Sequence, residues 1–204
     1  MRKTADNDTL SGMAPDHCPL ALVLIDVIND LEFPGAEALQ RYAEPMAERL
    51  AELRRQAHEQ QVPVIYVNDN FGRWRGDFAL QVRHCLEDGV RGQRIAELLQ
   101  PDEHDYFILK PKHSGFHLTP LSLLLESMNV QGLILTGLAG NICVLFTAHD
   151  AYMRQYDLIV PRDCIASEEK SLNQFALTQM ERVMKAEITS STEIDLSALL
   201  ARYS

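Results

Sequence analysis

Short apolar runs alternate with longer amphipathic segments along most of the chain. Six runs have the composition of buried strands, at residues 20–26, 62–68, 106–109, 133–136, 156–160 and, more weakly, 186–189. Between them, apolar residues recur at helical spacing, at residues 36–60, 93–99, 120–128, 142–154 and 172–185. Because near-continuous apolar strands need cover on both faces, this alternation predicts a three-layer α/β/α sandwich with a mostly parallel, six-stranded, Rossmann-like sheet.

The beginning of the chain differs in composition from the rest. Residues 1–18 contain Asp, Asn, Thr, Ser, Gly and Pro at irregular positions, and this lack of periodicity predicts a flexible N-terminal lead. Residues 19–204 predict a single domain, since a chain of this length buries roughly 70% of its unfolded surface in one core. The lead has no signal-peptide pattern and no run approaches the ~20 apolar residues of a membrane span, so we expect a cytoplasmic protein with no membrane partner.

Charge and cysteine spacing narrow the expected partners. The chain has 19 basic and 29 acidic residues, a net charge of −10 and no basic run, which argues against nucleic acid. Four widely spaced cysteines without a C-x-x-C pair favour reduced thiols over disulfides or a zinc site. The glycine patterns of nucleotide-binding loops are missing as well. We therefore expect a small-molecule substrate, no cofactor and no metal.

Polar residues follow the predicted strands where parallel sheets bind ligands, beyond the carboxyl ends of the strands. Asp26 follows the first strand, residues 68–70 the second and Lys110 the third. Residues 133–150 have the pattern of a strand, a small-residue turn and a helix whose first turn carries Cys143. Because a helix N-terminus stabilises negative charge, we expect the pKa of this cysteine to lie below its usual value of about 8.5.

A carboxylate, an ammonium and a thiol at one edge of a sheet can form a nucleophilic site. Asp26 would accept the thiol proton of Cys143 and return it to a leaving amine, while Lys110 would hold the charges in place. The backbone N–H groups of Ala139 and Cys143 are placed to receive an oxyanion.

Three segments, in this order, match the motifs of a known family. They are Leu22-Val-Leu-Ile-Asp-Val-Ile-Asn-Asp30, Leu109-Lys-Pro-Lys-His-Ser-Gly-Phe-His-Leu-Thr-Pro-Leu121, and Gly137-Leu-Ala-Gly-Asn-Ile-Cys-Val144 followed by Thr147-Ala-His-Asp-Ala151. They resemble the first strand, the lysine motif K-x-x-x-S-A-F-x-x-T-x-L and the cysteine turn of the isochorismatase-like cysteine hydrolases. The resemblance spans residues 19 to about 190, and three ordered motifs at compatible spacing are specific evidence.

The resemblance implies a catalytic triad of Asp26, Lys110 and Cys143. In this family such a triad usually hydrolyses an amide C–N bond through a thioester, so the implied substrate is a small amide, imide or carbamoyl compound. The resemblance also implies a non-proline cis peptide between Leu138 and Ala139, and a homo-oligomer, either a dimer or a tetramer.

Some positions compete with this pattern or depart from it. Lys112 competes with Lys110, but the spacing to Ser114 favours Lys110. Gly140 stands where many members have Thr, and Gly115 where the lysine motif usually has Ala. Both exchanges replace one small residue by another, so they bear on pocket detail rather than on the triad.

The pattern also departs from that of the family's metal-binding members. Nicotinamidases of this family bind a metal through Asp-x-His and further histidines after the second strand, whereas residues 67–78 of this chain contain no histidine. His113 and His117 flank the lysine motif without ligand spacing to a third group. The sequence therefore predicts neither that metal nor that substrate.

Five further side chains are candidate substrate contacts, and each has an ordinary structural alternative. The aromatic residues could instead pack in the core, and the asparagines could instead form a turn. The candidates are Phe33, Asn68, Asn70, Trp74 and Phe116.

Two other functions stay open. In an isochorismatase-type enol-ether hydrolase, Asp26 would protonate the vinyl carbon and Cys143 would be dispensable. A non-catalytic binding module on the same fold is the other alternative, because a fold does not fix an activity. The presence of Cys143 favours amide chemistry over both.

Overall fold

The structure, a computed structural model, describes residues 17–203. Its strands are β1 Leu20–Ile25, β2 Val64–Asp69, β3 Tyr106–Lys110, β4 Gly132–Leu138, β5 Asp157–Pro161, β6 Ile165–Ala166 and β7 Glu187–Thr189. Its α-helices are α1 Ala36–Glu59, α2 Phe78–Glu87, α3 Gln93–Leu98, α4 Leu121–Ser127, α5 Leu145–Met153, α6 Lys170–Met184 and α7 Leu196–Arg202. A π-helical turn at Gly140–Val144 leads into α5, and a 3-10 turn occupies Ser191–Glu193.

The strands form one parallel sheet between two layers of helices. The strand order is β3-β2-β1-β4-β5-β7, with β6 paired to the end of β4, and each recorded pairing is parallel. The three-layer α/β/α prediction is thus confirmed, but the described sheet has seven strands rather than six. β6 has only two residues, too few to produce a recognisable apolar run.

Side chains along β1 point alternately to the two faces of the sheet, and a layer of helices covers each face. Leu20, Leu22 and Leu24 face one apolar core and Ala21 and Val23 the other, as period-two side chains of a doubly covered strand must. The first core also contains residues of α1, α2, α3 and α7, and the second contains residues of α4, α5 and α6. None of the helices in the described range is both long and apolar enough to cross a membrane.

The ends of the domain bear on the predicted boundaries. Residues 1–16 of the predicted lead lie outside the described residues. Cys18 is 6% exposed and its backbone N–H donates to Met128 O at 2.9 Å, so it already packs with the domain. Helices α2 and α7 are not predicted from sequence. Each is preceded by an N-cap aspartate, Asp77 or Asp195, whose side chain accepts a backbone N–H of the first turn.

The neighbouring strands β1 and β4 position the candidate site. From β1 the sheet order runs one way through β2 to β3, and from β4 it runs the other way through β5 to β7. In parallel sheets such a reversal opens a crevice at the carboxyl ends of the strands. Asp26 follows β1 at this crevice and the turn carrying Cys143 follows β4.

Candidate active site

Asp26 leaves the end of β1 in a left-handed backbone conformation, with φ 52°. Its backbone N–H still donates to Val67 O at 3.0 Å, and its carboxylate Oδ1 accepts the Asp69 N–H at 2.7 Å. The residue is only 6% exposed. Non-glycine residues in this conformation cluster at functional sites, and aspartate tolerates it better than most.

Lys110, the last residue of β3, is fully buried and joins the other groups of the site. Its Nζ lies 2.9 Å from Asp26 Oδ2, 3.4 Å from Asp69 Oδ2 and 3.5 Å from Cys143 Sγ. A buried ammonium needs such partners, because an unpaired charge in the interior is very unfavourable. Lys112 is exposed, so the geometry favours Lys110 for the lysine role.

Gly137, near the end of β4, brings its backbone close to Ile25 of β1. Gly137 has φ 109°, and a Cβ at this position would lie 2.1 Å from Ile25 O, so only glycine fits. The described residues contain no cis peptide, and the expected cis bond between Leu138 and Ala139 is wrong.

Two further glycines are explained by their neighbours. A Cβ on Gly140 would meet Asn173 Oδ1 at 2.4 Å and Ser167 Oγ at 3.0 Å, so polar side chains fill the space that a larger residue would need. A Cβ on Gly115 would lie 2.9 Å from Val67 Cγ1, which leaves no room for alanine without a shift of that side chain.

Burial dominates the electrostatics of the three groups. Burial and the neighbouring Asp26 carboxylate raise the pKa of Cys143 to about 12, against a smaller opposing effect of Lys110. The expected lowering of this pKa is therefore wrong in sign, because burial and the adjacent carboxylate raise the pKa despite the nearby helix N-terminus. Burial also raises the pKa of Asp26, with Lys110 limiting the rise. For Lys110, burial favours the neutral form, but Asp26 and the Cys143 sulfur outweigh it and the pKa is raised.

Thr147 ties the lysine segment to the cysteine helix. Its hydroxyl donates to Cys143 O at 2.7 Å and accepts the Gly115 N–H at 2.9 Å. Nearby, the Ser114 hydroxyl donates to Asp150 Oδ2 on α5. These bonds fix the distance between the segment after β3 and Cys143. A sequence pattern alone could not specify that distance.

The five predicted substrate contacts lie in different environments. Asn68 is fully buried and its amide donates to Ile28 O at 2.7 Å, and Asn70 Oδ1 accepts the Gly72 N–H in a turn. Phe116 is 4% exposed and stacks on Tyr156, as a core residue would. Phe33 and Trp74 are 38% and 79% exposed. The structure brings the predicted triad together, and of these five Asn70 bonds to it through its backbone N–H, which donates to Lys110 O at 3.0 Å. The substrate role of all five stays a prediction.

Two residues at the site lie outside the predicted triad. Asp69 supplies a second carboxylate to Lys110 at 3.4 Å, with its side chain 28% exposed. His113, considered from sequence only as a metal ligand, places Nδ1 3.9 Å from Cys143 Sγ. Its ring packs against Phe146, with ring centroids 5.3 Å apart. Asp69 ends β2 and is one of the strand-end residues 68–70 predicted from sequence, but its pairing with Lys110 is not. Nothing in the sequence marks His113 as a neighbour of Cys143.

One group of potential metal ligands occurs among the described residues, at the opposite end of β3. His58, Asp102 and Asp105 bring their side-chain ligand atoms within 4.8 Å of one another. The Arg54 guanidinium, however, lies 3.1 Å from Asp105 Oδ2 and 3.6 Å from Asp102 Oδ2. These carboxylates are already paired with a cation, so the group has the character of an ion-pair network.

Comparison with known proteins identifies the family of the chain. A family model described as "Isochorismatase domain" matches residues 20–193. The chain belongs to the isochorismatase family. As a member of this family it is a hydrolase, which confirms both the resemblance and the prediction of an enzyme.

Individual relatives cover most of the chain. The uncharacterized isochorismatase family protein YaaI of Bacillus subtilis is 44% identical over 174 residues, which is 85% of this chain and 95% of that protein. Ureidoacrylate amidohydrolase RutB of Methylobacterium radiotolerans is 26% identical over 195 residues, covering 83% of this chain and 76% of the relative. The structure of N-carbamoylsarcosine amidase from Thermoplasma acidophilum has a TM-score of 0.66 and 26% identity, covering 87% of this chain and 99% of that one.

Proposed function

We propose that this hydrolase is a cysteine amidohydrolase that cleaves a small amide, imide or carbamoyl C–N bond through a thioester on Cys143. The observation that carries the proposal is the position of Lys110 Nζ, 2.9 Å from Asp26 Oδ2 and 3.5 Å from Cys143 Sγ. A base, a cation and a nucleophile within contact of one another are the elements that acyl transfer to sulfur requires.

The acylation step follows from the charges. The thiol of Cys143 keeps its proton at neutral pH, because its pKa is raised to about 12. The proton therefore moves to Asp26 as the sulfur attacks the carbonyl carbon, and burial suits Asp26 to this task by raising its pKa. Asp26 then protonates the leaving nitrogen as the C–N bond breaks, and the N–H groups of Ala139 and Cys143 are the proposed oxyanion donors.

The names of two relatives favour a carbamoyl substrate within this class. Ureidoacrylate amidohydrolase and N-carbamoylsarcosine amidase are both named for compounds in which a carbonyl carbon is bonded to nitrogen on both sides. Cleavage of such a terminal C–N bond releases ammonia. N-carbamoyl amino acids and ureido acids are therefore the first compounds to test.

Ammonia release by the wild type and two variants tests the proposal. Cys143→Ala is expected to reduce turnover to background with the melting temperature kept, whereas the matched control Cys18→Ala, at a buried cysteine outside the site, keeps the activity. A Cys143→Ala variant with wild-type ammonia release would refute the thioester mechanism. Pyruvate released from isochorismate with equal rates in both variants would instead support the enol-ether alternative.

A further inference from the structure

His113 contacts the proposed nucleophile from the solvent side. Its Nδ1 lies 3.9 Å from Cys143 Sγ, a distance at which sulfur still takes part in a hydrogen bond. His113 itself is exposed to solvent. The bonds of the following residues, Ser114 to Asp150 and Gly115 to Thr147, fix the segment that carries it. The imidazole is thus held beside the sulfur by the same connections that hold the lysine segment.

Both carboxylate oxygens of Asp26 already have partners inside the site. Its Oδ1 accepts the Asp69 N–H at 2.7 Å, its Oδ2 lies 2.9 Å from Lys110 Nζ, and it is only 6% exposed. Thioester cleavage requires a water molecule that enters from solvent and loses a proton as it attacks. Imidazole exchanges protons near neutral pH, and an exposed imidazole beside the sulfur is open to that water.

We propose that His113 is a fourth catalytic residue, the base that activates the water in thioester hydrolysis. The step rests on the proposed function, because it requires an acyl group on Cys143. With Nε2 protonated, Nδ1 takes a proton from water as the water oxygen bonds to the thioester carbon. The C–S bond then breaks, the acid product leaves, and the imidazolium returns its proton to the sulfur, which restores the thiol.

The proposal separates the two half-reactions, which a purely structural role would not do. A histidine that only orients the thiol would affect formation and hydrolysis of the acyl enzyme alike. A base for water affects hydrolysis alone, so its loss should make the acyl enzyme accumulate.

p-Nitrophenyl acetate provides the test, because p-nitrophenolate release reports acetylation and the steady state reports hydrolysis of acetyl-Cys143. His113→Ala is compared with the wild type and with His117→Ala, an exposed histidine of the same segment. We expect His113→Ala to keep the burst, to lower the steady-state rate about 100-fold and to accumulate acetyl-Cys143 in peptide mass spectra. Added imidazole should restore hydrolysis in His113→Ala, and His117→Ala should behave as the wild type.

The outcomes distinguish the two proposals. If acetyl-Cys143 forms and His113→Ala hydrolyses it within about twofold of the wild-type rate, or if burst and steady state fall together, the role of His113 is refuted and the proposed function stands. If the wild type is not acetylated at Cys143 at all, the nucleophilic role of this cysteine fails, and that of His113 with it.

Discussion

Replacing Asp26 by asparagine should make Cys143 more reactive towards iodoacetamide while it lowers turnover. The two side chains are close, because Lys110 Nζ lies 2.9 Å from Asp26 Oδ2 and 3.5 Å from Cys143 Sγ, which places the carboxylate oxygen at most about 6.4 Å from the sulfur. At an effective dielectric constant of about 20, two unit charges at that distance repel by roughly 2.6 kcal/mol. That energy corresponds to about two pKa units.

The expected result is therefore a large increase in thiolate. Burial and the Asp26 charge raise the pKa of Cys143 to about 12 in the wild type, and Asp26→Asn removes the charge while Lys110 stays. The thiolate fraction at pH 8 should rise about 100-fold and the rate of alkylation with it, since the thiolate is the reacting species. Turnover should fall by about 10²- to 10⁴-fold in the same variant, because the base is lost.

Peptide mass spectrometry of iodoacetamide-treated protein, sampled over time between pH 6 and 10, measures the rate at each cysteine. Cys18, Cys85 and Cys164 are buried and serve as slow internal controls in every sample. Lys110→Met should have the opposite effect on the labelling rate. It removes the cation 3.5 Å from the sulfur, so labelling of Cys143 should be slower than in the wild type. Labelling of Cys143 in Asp26→Asn at the wild-type rate or below would refute the charge argument.

Three other predictions test the framework around the site. Thr147→Val removes the hydroxyl that accepts the Gly115 N–H at 2.9 Å, and leaving that buried donor unpaired should lower the free energy of unfolding in urea by about 1–3 kcal/mol. Gly137→Ala places a Cβ 2.1 Å from Ile25 O, so both stability and turnover should drop, whereas alanine at Gly35, where a Cβ meets nothing within 4 Å, leaves turnover unchanged. Light scattering should give the mass of a dimer or tetramer, since α5 exposes large apolar side chains of the kind that interfaces cover, and a monomer would contradict this expectation.

The sheet could be predicted from sequence because its strands are doubly buried. β1 and β4 are buried along their whole length, so their apolar runs stand out against the flanking segments. Helix α2 is a further element that the sequence analysis does not predict, although Phe78 and Cys85 are buried and Val82 and Leu86 pack against the same core. The sequence pattern does not distinguish the π-helical turn at Gly140–Val144 from ordinary helix, and in the structure this turn contacts β6 and α6.

The positions of the triad residues followed from strand ends, but their interactions did not. Asp26, Lys110 and Cys143 each lie at the carboxyl edge of the sheet, and topology alone brings that edge together. The protonation of Cys143, in contrast, depends on how deeply the sulfur is buried and on which charges lie beside it. Burial and the Asp26 carboxylate raise the pKa of Cys143 although the sulfur lies near a helix N-terminus.

This charge arrangement explains why the proposed mechanism keeps the proton inside the site. With Lys110 positive and Asp26 and Asp69 negative, a thiolate at Cys143 would add a second excess negative charge beside a fully buried ammonium. Creating it before substrate binds is costly in a poorly solvated site. Moving the proton from sulfur to Asp26 during attack, and from Asp26 to the leaving nitrogen afterwards, avoids that state. A buried carboxylate of raised pKa suits this transfer, because it holds the proton long enough to deliver it.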